Sequence, residues 1–148
     1  MEYRLYFFVP YNISDIQKGI QAGHAALEYA NFLGSNYEYL QFIKNDKTWI
    51  ILNGGTTNDE TGDLNNIMSL LHENDINYTF FREPDLNNAL TAICFLADER
   101  VWNKEKYPDY EECPVEEFRE SEYKKWVKFV GGDKNVFLRE LLKDKHLA

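Results

Sequence analysis

Short runs of aromatic and β-branched residues recur along this chain of 148 residues, and they predict four strands. The predicted strands cover residues 3–9, 48–53, 78–82 and 91–97. Other segments repeat their apolar positions every three to four residues, which is the helical period. The predicted helices cover residues 15–33, 64–74, 115–130 and 136–145. This order predicts an α/β fold, a small mixed sheet of about four strands flanked by helices.

The distribution of charge divides the chain near Asn103, just after the last predicted strand. Residues 1–103 carry 6 basic and 14 acidic side chains, a net charge of −8, whereas residues 104–148 carry 10 and 11, a net charge of −1. We therefore expect an α/β core over residues 1–103 and a C-terminal helical extension, packed on that core, over residues 104–148. Its expected anchors are Trp102, Trp126, Phe129, Phe137 and Leu141.

The first predicted helix has a capped start and two non-polar stripes. Ser14 is suited to cap the first turn, with the Gln17 side chain reaching back to complete a capping box. The apolar stripe consists of Ile16, Ile20 and Leu27. The neighbouring stripe of small residues consists of Gly19, Ala22, Gly23, Ala26 and Ala30. Because small side chains allow a close approach, we expect this second stripe to pack on the sheet.

A third stripe of the same helix is polar and contains the candidate catalytic histidine. It consists of Gln17, Gln21, His24, Glu28 and Asn31. Since it borders the buried face, it is suited to form one wall of a cleft. Histidine is the usual proton carrier near neutral pH, which makes His24 the catalytic candidate. The alternative is that His24 is a structural hydrogen-bond donor among ordinary exposed side chains.

The loop between the last two predicted strands contains a second group of candidate residues. It carries two carboxylates, Glu83 and Asp85, and two amides, Asn87 and Asn88, around the rigid Pro84. Carboxylates near a histidine orient or activate it, and amides bind base and ribose edges. Because Pro, Asp and Asn also form turns, a purely structural loop is the alternative.

Other classes of site lack their sequence signatures. The chain has no dinucleotide-binding glycine motif, no Walker A lysine loop, no nucleophile elbow and no pair of cysteines two residues apart. A metal site built from His24, Glu28 and a loop acid lacks a second histidine. We therefore expect no metal and no other cofactor.

Composition and charge restrict the partners and the compartment. Hydrophobic residues make up 44%, so the chain can bury a core, and no apolar run is long enough to span a membrane. With two cysteines and no signal peptide pattern, we expect a cytoplasmic protein. The net charge of −9 disfavours binding of bulk tRNA or DNA, which needs clustered Lys and Arg.

The helix motif resembles the first helix of the archaeal and eukaryotic-type peptidyl-tRNA hydrolases. That family carries a lysine, a glutamine and then His-Ala on this helix, and its last strand opens with threonine. Gln21, His24, Ala25 and Thr91 match the motif, and Gln17 stands at the lysine position. Glu83 stands in for the family's loop aspartate, and the resemblance covers roughly residues 3–97. It implies a peptidyl-tRNA hydrolase-like fold and a homodimer.

The resemblance also implies a diverged, phage-like member, acting in the host cytoplasm against a nucleotide defence signal. A hydrolase of a small nucleotide, such as a cyclic di- or oligonucleotide, would use His24, Glu83 and Asp85 catalytically. The expected ligand-binding residues are Tyr11, Gln17, Lys18, Gln21, Glu28, Asn87, Asn88 and Thr91. Two alternatives stay open: a sponge that binds the nucleotide without turnover, and a true peptidyl-tRNA hydrolase.

Overall fold

A computed structural model describes residues 1–57 and 61–148 of the chain. Within these ranges four strands form one mixed sheet in the order β2-β1-β4-β3. The strands are β1 (Tyr3–Val9), β2 (Trp49–Asn53), β3 (Tyr78–Glu83) and β4 (Ala89–Asp98). β1 runs parallel to β2, and β4 runs antiparallel to both of its neighbours, β1 and β3. The α/β architecture with a four-stranded mixed sheet is therefore confirmed.

The helices connect the strands and continue beyond β4. They are α1 (Asp15–Leu33), α2 (Tyr37–Gln41), α3 (Asp63–Glu73), α4 (Glu99–Trp102), α5 (Arg119–Phe129) and α6 (Asp133–Leu142). A π-helical turn, Phe42–Asp46, follows α2. Two 3₁₀ turns cover Pro84–Leu86 and Glu116–Phe118. No helix within the described ranges is both long and apolar enough to cross a membrane.

The sheet has a hydrophobic core on each of its faces. Because side chains alternate along a strand, Leu5, Phe7 and Val9 of β1 pack toward α1 and α2, while Tyr6 and Phe8 pack toward α3 and α6. All five are at most 5% exposed. The structure is thus a three-layer arrangement, and the face under α1 is the one that carries the candidate site.

Predicted element boundaries agree with the structure where the termination signals are strong. β1 and α1 have the predicted bounds, and Ser14 accepts a hydrogen bond from the Gln17 N–H at 3.2 Å. The sequence analysis missed α2, the π-helical turn and α4, which are too short to repeat a hydrophobic period. It also placed α5 and α6 three to four residues off at their starts, because Glu116–Phe118 is a 3₁₀ turn and α6 begins directly after Gly132.

The prediction that Gly19 and Gly23 pack on the sheet is wrong. A Cβ built on either glycine meets no atom within 4 Å, so both face open space. The residues of α1 that are buried are Gln21, Ala22, Ala25 and Tyr29. The large Tyr29 ring and the Gln21 amide rotate the buried face away from the glycines. On the opposite side of α1, Ile16 and Leu27 are exposed.

The C-terminal region contributes to the core through α6. Phe137, Leu138 and Leu141 pack in the cluster that also contains Phe8 and Phe95. The expected anchor Trp102 packs there too, whereas Phe129 is 48% exposed and stacks on Tyr107, and Trp126 contacts Tyr110. The pattern of apolar residues in the second predicted helix places Ile67, Met68, Leu70 and Leu71 on its buried side, but Leu70 is exposed. The division at Asn103 remains a prediction.

Candidate functional site

Three loops meet at the edge of the sheet where the parallel strands β1 and β2 end. The Gly54 N–H donates to the Val9 carbonyl at 2.8 Å, and the Tyr11 N–H donates to the Gly55 carbonyl at 3.0 Å. The Thr57 hydroxyl donates to the Leu90 carbonyl at 2.6 Å, which ties the second loop to the start of β4. Loops held by a rigid scaffold at the ends of strands are common places for binding residues.

The N-terminus of α1 opens at this same edge, and Lys18 lies on its inner side. The Lys18 side chain is only 17% exposed, and its ammonium forms an ion pair with Asp15 at 3.6 Å. Asp15 itself is 99% exposed, so this pair is weak. Lys18 is therefore a half-buried cation in the first turn of α1, weakly paired with an exposed carboxylate.

A β-bulge shapes the neighbouring part of the sheet. Phe81 pairs with Ala92 and Arg82 pairs with Leu90, so Thr91 is the extra residue of β4. Bulges redirect side chains and are frequent beside functional sites. Here the bulge directs Thr91 toward α1, where its hydroxyl donates to the Gln21 Oε1 at 2.5 Å. Both residues are at most 1% exposed, so they do not face solvent.

The buried hydrogen bond continues outward to Gln17. The Gln21 Nε2 donates to the Gln17 Oε1 at 3.3 Å. The expected capping-box contact from the Gln17 side chain to the start of the helix is therefore replaced by a contact along the helix. The oxygen of the exposed Gln17 side chain accepts from Gln21, and its two amide N–H groups have no partner among the described residues.

His24 lies one turn further along α1 and stacks on Phe81 of β3. The two ring centroids are 4.3 Å apart and the ring planes differ by 22°. Among the described residues, His24 has no hydrogen bond or ion pair with Glu83 or Asp85, so the orientation of His24 by a carboxylate is not what the structure shows. Stacking covers one face of the half-buried imidazole.

Glu83 lies on the same side of the sheet as His24. Beyond the bulge, Glu83 pairs with Ala89, and strand alternation places its side chain on the α1 face with Phe81. Glu83 therefore lies on the α1 face two residues beyond Phe81, at the end of β3.

The rest of the loop is a tight turn with exposed polar tips. Asn87 and Asn88 both adopt left-handed backbone conformations, with φ of 53° and 62°, which asparagine tolerates better than most residues. The Asn88 N–H donates to the Glu83 carbonyl at 3.0 Å. The backbone geometry explains the two asparagines, while the side chains of Asp85, Asn87 and Asn88 remain exposed.

Two expected ligand-binding residues lie at the margins. Tyr11 is 56% exposed on the loop after β1. Glu28 lies one turn beyond His24 and borders a different groove, with Phe32, Tyr78 and Phe80. The structure therefore joins Gln17, Gln21 and Thr91 by hydrogen bonds, places His24 one turn beyond Gln21 on the Phe81 ring, and leaves Glu28 beside another groove.

Phe81 is the residue of the site that the sequence analysis missed. Its signal was present in the alternation of 78–82, where Thr79 and Phe81 share one face, and the Thr79 hydroxyl donates to the Ala25 carbonyl at 2.9 Å. In the parts of the chain that the structure describes, no three His, Cys, Asp or Glu side chains come together as a metal-binding group. Burial raises the pKa of the Cys94 thiol well above its ordinary value, which makes it a poor nucleophile.

Comparison with known proteins gives no assignment. No protein-family model matches the chain, and no curated protein sequence matches it either.

Proposed function

We propose that this protein is a small hydrolase that acts on a nucleotide ligand at the His24 site. The observation that carries the proposal is the stacked His24–Phe81 pair beside the buried Thr91–Gln21–Gln17 hydrogen bonds. The site thus offers a flat aromatic surface, a proton carrier and an oriented amide donor at one edge of the sheet. These features suit a ligand that combines a planar base with phosphate oxygens.

The hydrogen-bond direction indicates what Gln17 would bind. Thr91 donates to Gln21 and Gln21 donates to Gln17, so the outward end of the series is a donor. A donor pairs with a phosphate, carbonyl or ring-nitrogen acceptor of the ligand. Gln21 and Thr91, being buried, act on the ligand through Gln17.

His24 is suited to transfer a proton because its ring nitrogens have no protein partner among the described residues. In hydrolysis of a phosphodiester or an ester, one imidazole nitrogen would take the proton of the attacking water or give a proton to the leaving oxygen. Glu83, on the same face, would interact with the ligand or with the attacking water. Lys18 is the nearby cation for a phosphate group.

The charge of the molecule favours a small ligand. The chain carries −9, and the region that forms the site, residues 1–103, carries −8. A nucleic-acid stem needs several phosphate contacts from Lys and Arg, whereas a nucleotide with one to three phosphates does not. Within the proposal, the fold is a peptidyl-tRNA hydrolase-like one whose substrate has changed, and a cyclic di- or oligonucleotide defence signal is the expected ligand.

One observation favours a second candidate, a sponge that binds the nucleotide without cleaving it. His24 lacks the carboxylate partner that usually fixes the tautomer of a catalytic imidazole. The stacked ring would then serve as a platform for the base, where stacking contributes about 1–3 kcal/mol.

Ligand fate distinguishes the two candidates. Purified protein is incubated with a panel of cyclic mono-, di- and trinucleotides, and the nucleotides are measured before and after heat denaturation. We expect cleavage by the wild type and a decrease of about 10²–10⁴-fold in turnover for His24→Ala. His72→Ala, at an exposed histidine of α3, is the matched control and should not change turnover.

Intact nucleotide that returns only after denaturation would establish the sponge. Cleavage that is unchanged in His24→Ala would contradict the proposed catalytic role. If the protein neither cleaves nor binds any nucleotide of the panel, but releases the amino acid from N-blocked aminoacyl-tRNA, the result would favour the peptidyl-tRNA hydrolase.

A further inference from the structure

A cavity of about 300 Å³ lies in the C-terminal region, away from the His24 site. One side consists of the rings of Tyr110, Tyr123 and Trp126. The other includes Arg139 of α6 and Lys143, which directly follows α6. Pockets of this size are in the range that takes small molecules.

The three rings form an aromatic corner rather than a single stack. Tyr110 meets Tyr123 edge-on, with centroids 5.1 Å apart and planes at 82°. Trp126 lies 5.7 Å from Tyr110 and 5.9 Å from Tyr123. The Trp126 indole N–H donates to the Pro108 carbonyl at 3.0 Å, which fixes the ring. Rings in this arrangement offer both a face and an edge to a planar ligand.

Arg139 is the buried charge of this cavity. Its side chain is 4% exposed, and its guanidinium donates to the Arg100 carbonyl at 2.8 Å and to the Asp109 carboxylate at 2.7 Å. The Nε atom is buried, with no hydrogen-bond partner among the described residues, and it is not accessible from the cavity. The guanidinium also lies over the Trp126 ring, with its Cζ 5.4 Å from the ring centroid. Arg139 would therefore act on a ligand in the cavity as a nearby positive charge.

The charges around the cavity are not balanced. Asp109 is shared, because its Oδ1 also accepts from the Lys104 ammonium at 2.6 Å. Lys104, Arg139 and Lys143 therefore face only two acids, Asp109 and Glu140, among the lining residues. One positive charge is left over in a chain that is otherwise strongly acidic. The cavity thus favours a ligand with a single anionic group.

We propose that this cavity binds a nucleoside monophosphate, with the base against Tyr110, Tyr123 and Trp126 and the phosphate near Arg139 and Lys143. The site is separate from the His24 site and does not depend on the function proposed for it. A phosphate monoester carries a charge of about −1.5 to −2 at pH 7, so a single phosphate exceeds the one excess positive charge by less than a polyphosphate does. The aromatic corner accounts for the base, because every base has a π face.

Isothermal titration calorimetry of the full chain with AMP tests the proposal. We expect AMP to bind at least about 10-fold more tightly than either adenosine or inorganic phosphate, because only AMP uses the rings and the cations together. Tyr123→Ala should weaken AMP binding by roughly 5- to 150-fold, the range expected for loss of one stacked ring. Tyr123 is 41% exposed, so this change removes the ring without opening the core.

Matched charge variants and site variants complete the experiment. Lys143→Gln should weaken AMP binding several-fold, whereas Lys128→Gln, which removes an exposed lysine of α5 outside the cavity, should leave it unchanged. His24→Ala should also leave it unchanged. Any one of three results would overturn the proposal. These are a failure of AMP to bind at about 10 mM, equal affinities of the protein for AMP and inorganic phosphate, and a loss of AMP binding in His24→Ala.

Discussion

Gln21 is the side chain on which the geometry of the site depends. It occupies a buried position of α1 that a hydrophobic residue would ordinarily fill, and it accepts a 2.5 Å hydrogen bond from Thr91. A buried amide side chain is tolerated where both its oxygen and its nitrogen form hydrogen bonds. The Gln21 nitrogen forms the second hydrogen bond, to Gln17. The same three residues therefore contribute to stability and orient the outward amide.

Removal of the Thr91 hydroxyl should destabilise the protein. Thr91→Val keeps the volume but leaves the Gln21 Oε1 buried without its donor, so the free energy of unfolding should fall by about 1–3 kcal/mol. Thr91→Ser keeps the hydroxyl and should lose less. Urea denaturation followed by circular dichroism measures both variants. Equal stability of Thr91→Val and the wild type would show that the hydrogen bond contributes nothing.

The candidate site was predictable at the level of residue types but not of contacts. The spacing of Gln17, Gln21 and His24 placed them on one helix face, as the structure shows. The burial of Thr91 depends on a one-residue bulge, which alternation alone does not reveal, and the Phe81 stack depends on how α1 packs over β3. Neither the helical wheel nor the composition of the loop determines whether His24 meets an aromatic ring or a carboxylate.

Helix α1 shows how an element can be predicted correctly while its orientation is not. Its bounds follow from Ser14 and Gly34, which are local signals. Its rotation depends on tertiary packing, because Tyr29 and Gln21 occupy the buried face together with Ala22, while Gly19 and Gly23 of the small stripe face open space. A helical wheel that shows two non-polar faces does not indicate which of them is buried in the folded protein.

The two mid-helix glycines should therefore be sites of stabilisation. Gly23→Ala adds a methyl group that meets nothing within 4 Å and reduces the freedom of the unfolded chain, so the free energy of unfolding should rise by about 0.5–1 kcal/mol. Gly54→Ala is the opposite case, because its Cβ would come within 2.8 Å of the Leu64 Cδ1 and 3.1 Å of the Phe8 Cβ. That variant should lose about 1–3 kcal/mol.

Thermal and urea denaturation of the two glycine variants measure this contrast. A loss of stability in Gly23→Ala would mean that α1 packs through its small stripe after all.

Across the whole molecule, Asp98 joins the sheet to the C-terminal helices. It ends β4, caps α4 by accepting from the Arg100 N–H at 2.9 Å, and accepts from Asn135 of α6 at 3.4 Å. Burial raises the pKa of Asp98, but hydrogen bonds from Arg100 and Asn135 outweigh burial, and the net pKa is below the ordinary value. The ionised form is thus favoured in the folded state.

Stability should fall in acid because of this carboxylate. A folded-state pKa below the unfolded value gives stability that is present above the unfolded pKa, near 3.9, and is lost as pH falls through the folded pKa. Asp98→Asn should reduce the loss of unfolding free energy between about pH 5 and pH 2, whereas Asp144→Asn, at an exposed aspartate, should not. Urea midpoints across that range measure the difference; parallel acid limbs for the wild type and Asp98→Asn would contradict the assignment.

The most direct test of the account is whether a small nucleotide meets the His24 imidazole. The chain has three histidines, so His72 and His146 serve as internal controls in one ¹H–¹⁵N spectrum of the imidazole groups. On titration of the wild type with a cyclic dinucleotide, we expect the His24 signals to shift and those of the other two histidines to stay unchanged. We expect a weaker shift of the His24 signals in Gln17→Ala. Unchanged His24 signals at saturating cyclic mono-, di- and trinucleotides would contradict a nucleotide site at His24.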